Sequence, residues 1–167
     1  MRDSLNTRPK DNTGDAEGRA EWMGLLARAS ESELVGAWTA LATDHALPGF
    51  RFLRAPERGL VMVRGRAGGD GQAFNLGEMS VTRCSVCLDD GTVGHAYVAG
   101  RSARHAELAA VFDGLMQRAD WTGRIAERVL APLRATSAMA RARTAAKTAA
   151  TRVEFFTLVR EQAAGQE

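Results

Sequence analysis

From Glu21 onward, Trp22, Leu25, Leu26 and Ala29 recur at helical spacing and predict a first helix. Ser30, with Glu33 three residues later, has the form of a capping box. The helix it opens carries Leu34, Val35, Trp38 and Leu41 on one stripe, and Pro48-Gly49 closes the helical region. The period then shortens. Phe50–Leu53 and Leu60–Val63 are short apolar runs separated by Pro56 and Gly59, and they predict a hairpin. The glycine cluster Gly68-Gly69-Asp70-Gly71 precedes a long strand from about Gly77 to Leu88. Asp90-Gly91 is a two-residue turn signal, and Thr92 to Ala99 pairs back. In the long strand the apolar positions are odd at Met79 and Val81 but even at Cys84, Val86 and Leu88. Either a bulge near Arg83 or burial of both faces accounts for that switch.

Helix returns at Ser102, an N-cap, with Leu108, Val111, Phe112, Leu115 and Met116 as its stripe. A further helical piece spans roughly 121–131 and stops near Pro132. The last helix runs from about Ser137 to Gln162, alanine-rich until Val153. Its stripe is weak, so it lies either on a partner or on the domain's own sheet. The order helices, strands, helices predicts an α+β domain. Its centre is a largely antiparallel sheet of about four strands, flanked by N-terminal helices and a long C-terminal helical region. The expected organisation is a mobile polar leader over 1–20, a core domain over 21–133, and a basic, alanine-rich helix over 134–167.

Composition narrows the function classes. The chain has 167 residues, room for one real core, and its 45 % apolar content fits a globular protein. No apolar run approaches the ~20 residues that span a bilayer. Residues 1–20 hold no apolar secretion core, so a cytoplasmic location is expected. The net charge of +2 is too small to predict nucleic-acid binding. The stretch 134–167 is basic by three charges, but its aromatics are confined to Phe155-Phe156.

Few residues carry obvious chemistry. Cys84-x-x-Cys87 lacks the second ligand pair that zinc requires, and the two are expected to be half-buried thiols. The glycine cluster is followed by no Gly-Lys-Ser/Thr, and Phe74 stands where a dinucleotide loop needs a small residue. A turn is the simpler reading. Arg83 shares a strand face with Met79 and Val81 and, half-buried, would need a carboxylate or another anion. In "GHAYVAGRSARHAE", His95 and Tyr97 share a strand face, and Arg101, Ser102, His105 and Glu107 cluster at a strand-to-helix junction suited to anions. His105 and Glu107 are two apart on a helix and do not face each other. There is no Gly-x-Ser-x-Gly elbow. These residues describe a non-catalytic domain with an anion-contacting rim.

Several segments, taken in order, resemble one family. They are Trp22-Met23, "RAGGDGQAFNLGE" (66–78) followed by Thr82-Arg83, "LDDGTVGHAYVAGR" (88–101), "HAELAAVFDGLMQ" (105–117), Ala131-Pro132-Leu133 and "TRVEFFTLVR" (151–160). The chain resembles the PhnG family, the G subunit of the phosphonate carbon–phosphorus lyase core complex. The resemblance implies a soluble complex with H, I and J subunits, two copies of each. That complex forms ribose 1-methylphosphonate 5-triphosphate from a purine nucleoside triphosphate and methylphosphonate, releasing the base, in phosphonate catabolism. It places the nucleosidase-like centre on the I subunit, and the iron–sulfur cluster and S-adenosylmethionine on the J subunit. No cofactor is implied for this subunit, and neither nucleic acid nor membrane is an expected partner. The implied role is an accessory subunit of the transferase, not catalytic alone. The alternative is a subunit that itself binds the triphosphate or phosphonate at a shared active site. Arg83, Arg101 and His105 match family-pattern positions. With His95 and Glu107 they are the candidate ligand or partner contacts. Arg152, Phe155, Phe156 and Arg160 are the candidate partner-docking residues.

Overall fold

The segment Ala103–Met116 carries more apolar residues than one stripe can hold, and it becomes the buried centre of the fold. The computed structural model describes residues 13–66 and 71–151. In chain order the elements are α1 (Thr13–Arg28), α2 (Glu31–Asp44), β1 (Phe50–Arg66), β2 (Ala73–Leu88), β3 (Val93–Ala99), α3 (Ala103–Met116), α4 (Ala119–Ile125) and α5 (Ala131–Ala150). A π-helical turn, Ala126–Leu130, joins α4 to α5. The strands form one antiparallel sheet in the order β1-β2-β3. One face of its base packs on α3, and α1, α2 and α4 cover the far side of α3. The core joins Val86, Leu88 and Val98 of the sheet to Phe112 and Leu115 of α3, Leu26, Leu34 and Leu41 of α1 and α2, and Ile125 and Leu130. Trp38 meets the edge of Phe112, ring centroids 6.0 Å apart.

The expected α+β class holds, with three strands in place of about four. Pro56 and Gly59 do not turn the chain. β1 runs through both, bulging between Phe52 and Glu57, so the proline without its N–H falls at a bulge of an edge strand. Gly59 pairs directly with Val81. β2 begins at Ala73, before Gly77, and Gly77 sits at a second irregularity of the ladder. Arg66 pairs with Ala73 at the outer end of the antiparallel ladder. The register of β2 on β3 is unbroken from Val81 to Cys87. The apparent face switch is therefore no bulge of β2 at Arg83. Thr82 belongs to the buried even face with Cys84, Val86 and Leu88, its hydroxyl donating to the Gly100 carbonyl at 2.9 Å, while Val81 and Cys87 are buried on the odd face.

Helix boundaries shift for similar reasons. α1 starts at Thr13, inside the stretch read as a leader. The capping box forms as expected: the Glu33 N–H donates to Ser30 Oγ, and the Ser30 N–H to Glu33 Oε2. Pro132 does not end a helix. It falls in the first turn of α5, right after the π turn, where the i−4 bond it cannot make is already interrupted. α5 therefore begins at Ala131, not near Ser137.

The closest approach in the fold is between β3 and α3. A Cβ on Gly94 would stand 2.0 Å from the Ala110 carbonyl oxygen and 2.6 Å from the Gly114 nitrogen. Only a bare Cα fits there. Gly94→Ala is expected to lower stability by more than about 3 kcal/mol in urea unfolding, because backbone cannot move aside. Gly123→Ala, on exposed helix with nothing within 4 Å, should instead raise it by about 0.5–1 kcal/mol.

Candidate functional site

The sheet face turned away from the helices holds two of the candidate residues, Arg83 and His95. Cross-strand pairing lines up Glu57, Arg83 and Tyr97 in one row, and Arg54, Ser85 and His95 in the next. Arg83 donates from Nε and Nη2 to Glu57 Oε2 at 3.1 and 3.0 Å. Arg54 donates to the same oxygen at 2.9 Å. These hydrogen bonds, that of Arg54 first, hold the Glu57 carboxyl below the usual carboxylate range. Arg83 thus pairs with a carboxylate, although the half-burial that would have required one is absent. It is exposed rather than half-buried.

His95 is exposed, with Nδ1 2.9 Å from Ser85 Oγ. Among the described residues no carboxylate hydrogen-bonds to its ring, so nothing orients the pair as a nucleophile and base. The His95 main chain has a different role. Its N–H donates to Asp113 Oδ2 at 2.8 Å. Asp113, fully buried on α3, also receives Arg19 Nε and Nη2 at 3.1 and 2.6 Å, and Trp22 Nε1 at 2.9 Å. Neither Asp113 nor Arg19 stands out in the sequence reading. The available signal was a lone acid inside the apolar run "LAAVFDGLM".

At the start of α3, Ser102 accepts the His105 N–H at 2.9 Å and donates to Glu31 Oε2 at 2.6 Å. This ties the cap to the start of α2. Gly100 precedes it with φ +95°, a conformation other residues rarely adopt. The His105 ring is buried and donates from Nε2 to the Leu26 carbonyl at 2.8 Å, pinning α3 to α1. Glu107 pairs with Arg104, one turn away. Arg101 is exposed, and its carbonyl accepts Arg58 Nε at 2.9 Å. The candidates therefore divide. Arg83 and His95 lie together on the open face, and Arg101 lies at the helix start. His105 is held inside, and Glu107 is paired on the α3 surface. Arg152, Phe155, Phe156 and Arg160 lie outside the described residues.

Both thiols are buried rather than half-buried: Cys84 lies in the core between the sheet and α3, and Cys87 on the opposite face of β2. Burial, with the Glu107 charge nearby, pushes the Cys84 thiol up to about 11. Among the described residues no group of three or more Cys, His, Asp or Glu side chains could hold a metal. A broad groove also runs beneath α5, between it and the α1–α2 junction, lined by Leu25, Ala29, His105, Leu133, Ala140 and Thr144. Among the described residues no helix is long and apolar enough to cross a membrane.

Asp113→Asn replaces one acceptor oxygen with an amide nitrogen that opposes two of the four donors, whichever oxygen it replaces. It should cost about 2–3 kcal/mol in urea unfolding. Arg83→Ala, on the exposed face, should leave the unfolding midpoint nearly unchanged. Iodoacetamide at pH 8 should label Cys84 in the native protein at under about one-hundredth of the unfolded rate, because the thiolate is depleted and covered.

Two comparisons bear on what such a surface serves. A family profile described as "Phosphonate metabolism protein PhnG" matches residues 17–161. The chain is also 45 % identical over 163 residues to a protein of Rhizobium meliloti (strain 1021), covering 96 % of this chain and 98 % of that relative. The relative is named "Alpha-D-ribose 1-methylphosphonate 5-triphosphate synthase subunit PhnG".

Proposed function

The chain belongs to the PhnG family of phosphonate metabolism proteins, and from that premise we propose that it is the G subunit of a ribose 1-methylphosphonate 5-triphosphate synthase. The single observation that carries this reading is the relative of that name, 45 % identical along nearly its whole length. In this role the chain is an accessory subunit of phosphonate catabolism. Its companions are the H, I and J subunits of the carbon–phosphorus lyase core complex, in the cytoplasm. Nucleoside triphosphate and methylphosphonate react on the assembly, and cofactor chemistry belongs to the companions.

The side chains support an accessory role. On the open face, Ser85 and His95 are solvated, and Arg83 is occupied by Glu57. A general base gains catalytic strength from orientation and a tuned environment, and an exposed imidazole bonded to a hydroxyl has neither. His105, the other histidine of the junction, is committed to a main-chain carbonyl inside the fold. What the chain offers outward is surface. α5 is exposed at every residue from Ala138 to Ala150, an alanine-rich helix with little of its own domain against it.

The test is reconstitution with purified subunits, following adenine release from ATP in the presence of methylphosphonate. The chain alone should release none, and the companions without it should lose at least about 99 % of the rate of the full set. Turnover by the isolated chain would overturn the accessory role. Full turnover by the companions in its absence would overturn the assignment to the synthase.

A further inference from the structure

The outer half of the β1–β2 ribbon projects beyond β3, and among the described residues no helix packs on it. β3 pairs with β2 only from Val81 to Cys87, so the ladder from Leu60↔Ser80 to Arg66↔Ala73 is two strands wide. No residue of 58–66 or 71–80 is buried. Yet this arm carries Leu60, Met62, Phe74, Leu76 and Met79, between 39 % and 64 % exposed. Phe52 and Leu53 continue the series toward the base, 45 % and 50 % exposed. Outside the ribbon, the large apolar side chains this exposed among the described residues are Tyr97 and Met139. Concentration of exposed apolar groups on one projecting element marks a contact surface. A bare two-stranded ribbon is also only marginally stable in water, so its length points to something that holds it.

The charge of the ribbon indicates the kind of partner. Residues 50–88 hold six arginines, Arg51, Arg54, Arg58, Arg64, Arg66 and Arg83, against Glu57, Asp70 and Glu78. That excess of three is larger than the net +2 of the whole chain. By strand alternation Arg58, Leu60, Met62, Arg64 and Arg66 share one face of β1. An apolar pair is thus flanked by guanidinium groups along one stripe of β1, with Ser80 and Glu78 of β2 opposite Leu60 and Met62. A second copy of the same ribbon would bring these arginines against each other. The complementary surface has an apolar floor and a carboxylate rim.

We propose that the outer β1–β2 ribbon is a docking arm that lies in an apolar, carboxylate-rimmed furrow of another subunit of the synthase. This rests on the assignment to the synthase made above. Leu60 and Met62 supply the buried contact, and Arg64 and Arg66 set orientation by pairing with rim carboxylates.

The test is co-purification of the full chain with its tagged companion subunits, using wild type, Leu60→Ser/Met62→Ser, Arg64→Glu/Arg66→Glu and a Met139→Ser control on α5. The ribbon positions are exposed, so each variant should keep the wild-type circular dichroism and unfolding midpoint. Both ribbon variants should lose association at least about tenfold, and Met139→Ser should keep it. Wild-type association should weaken as salt rises from about 0.05 to 0.5 M, and that dependence should be smaller in the arginine variant, whose basal affinity is already lower. Normal assembly of both ribbon variants, with the wild type assembling, overturns the docking arm and leaves the synthase assignment standing. Failure of the wild type to assemble with any companion overturns both. A homodimer by light scattering that the ribbon variants dissolve assigns the arm to a second copy and overturns the proposal. Normal assembly of the arginine variant with impaired ATP binding makes those arginines ligand contacts and likewise overturns it.

Discussion

One buried carboxylate joins three elements of this fold. Asp113 sits on α3, receives two guanidinium bonds and an indole bond from α1, and receives the His95 N–H from β3. Removing a carboxylate from water is costly, and four donors, two of them from a guanidinium, offset that cost only when all are in place. The requirement is geometric. α1, β3 and α3 must meet at one point, which favours one arrangement of the helical layer over its near neighbours. Gly94 makes the meeting possible, since its missing side chain lets β3 approach the backbone of α3. Apolar burial around Phe112 and Leu115 supplies the larger driving force but is indifferent to small slides of helix on sheet.

The helices cover only one face and one end of the sheet. The uncovered face at the base is made tolerable by polar cross-strand rows, Glu57 with Arg83 and Ser85 with His95. Farther out, among the described residues, no helix packs on the ribbon, and exposed apolar side chains are interspersed with arginines along it. α5 repeats the theme at the other end of the chain, a helix of small residues beyond its anchor at Leu133. A chain of this size can bury one core, and here that core lies where α3 meets the sheet base. The remaining large apolar side chains among the described residues stay exposed, most of them on the β1–β2 ribbon.

Much of the helical part was legible along the chain. The Ser30 capping box, the Ser102 cap, the α1 and α2 stripes and the Asp90-Gly91 turn all depend on neighbours within a few residues, so local chemistry specifies them. The strands were harder. Pro56 and Gly59 resemble turn residues, and only pairing with β2 shows that β1 passes through them as a bulged edge. Thr82 looks like a break in the apolar alternation until its hydroxyl is seen to bond the Gly100 carbonyl. Pro132 looks like a stop until the π turn before it removes the conflict. For the candidate residues, a carboxylate partner for Arg83 was expected, but its identity, Glu57, was not readable. His105, polar and beside an anion-suited helix start, points inward instead.

The sequence by itself determined the class of fold, the places where most helices begin, and, through the order and spacing of its motifs, the family to which the chain belongs. Those are properties of residues near one another, or of a pattern carried whole. Tertiary structure decided which polar groups serve the fold and which face outward. That division depends on partners far away in sequence, 94 residues for Arg19 and Asp113 and 79 for His105 and Leu26. No local period encodes such a contact, because its geometry exists only once helix and sheet have packed.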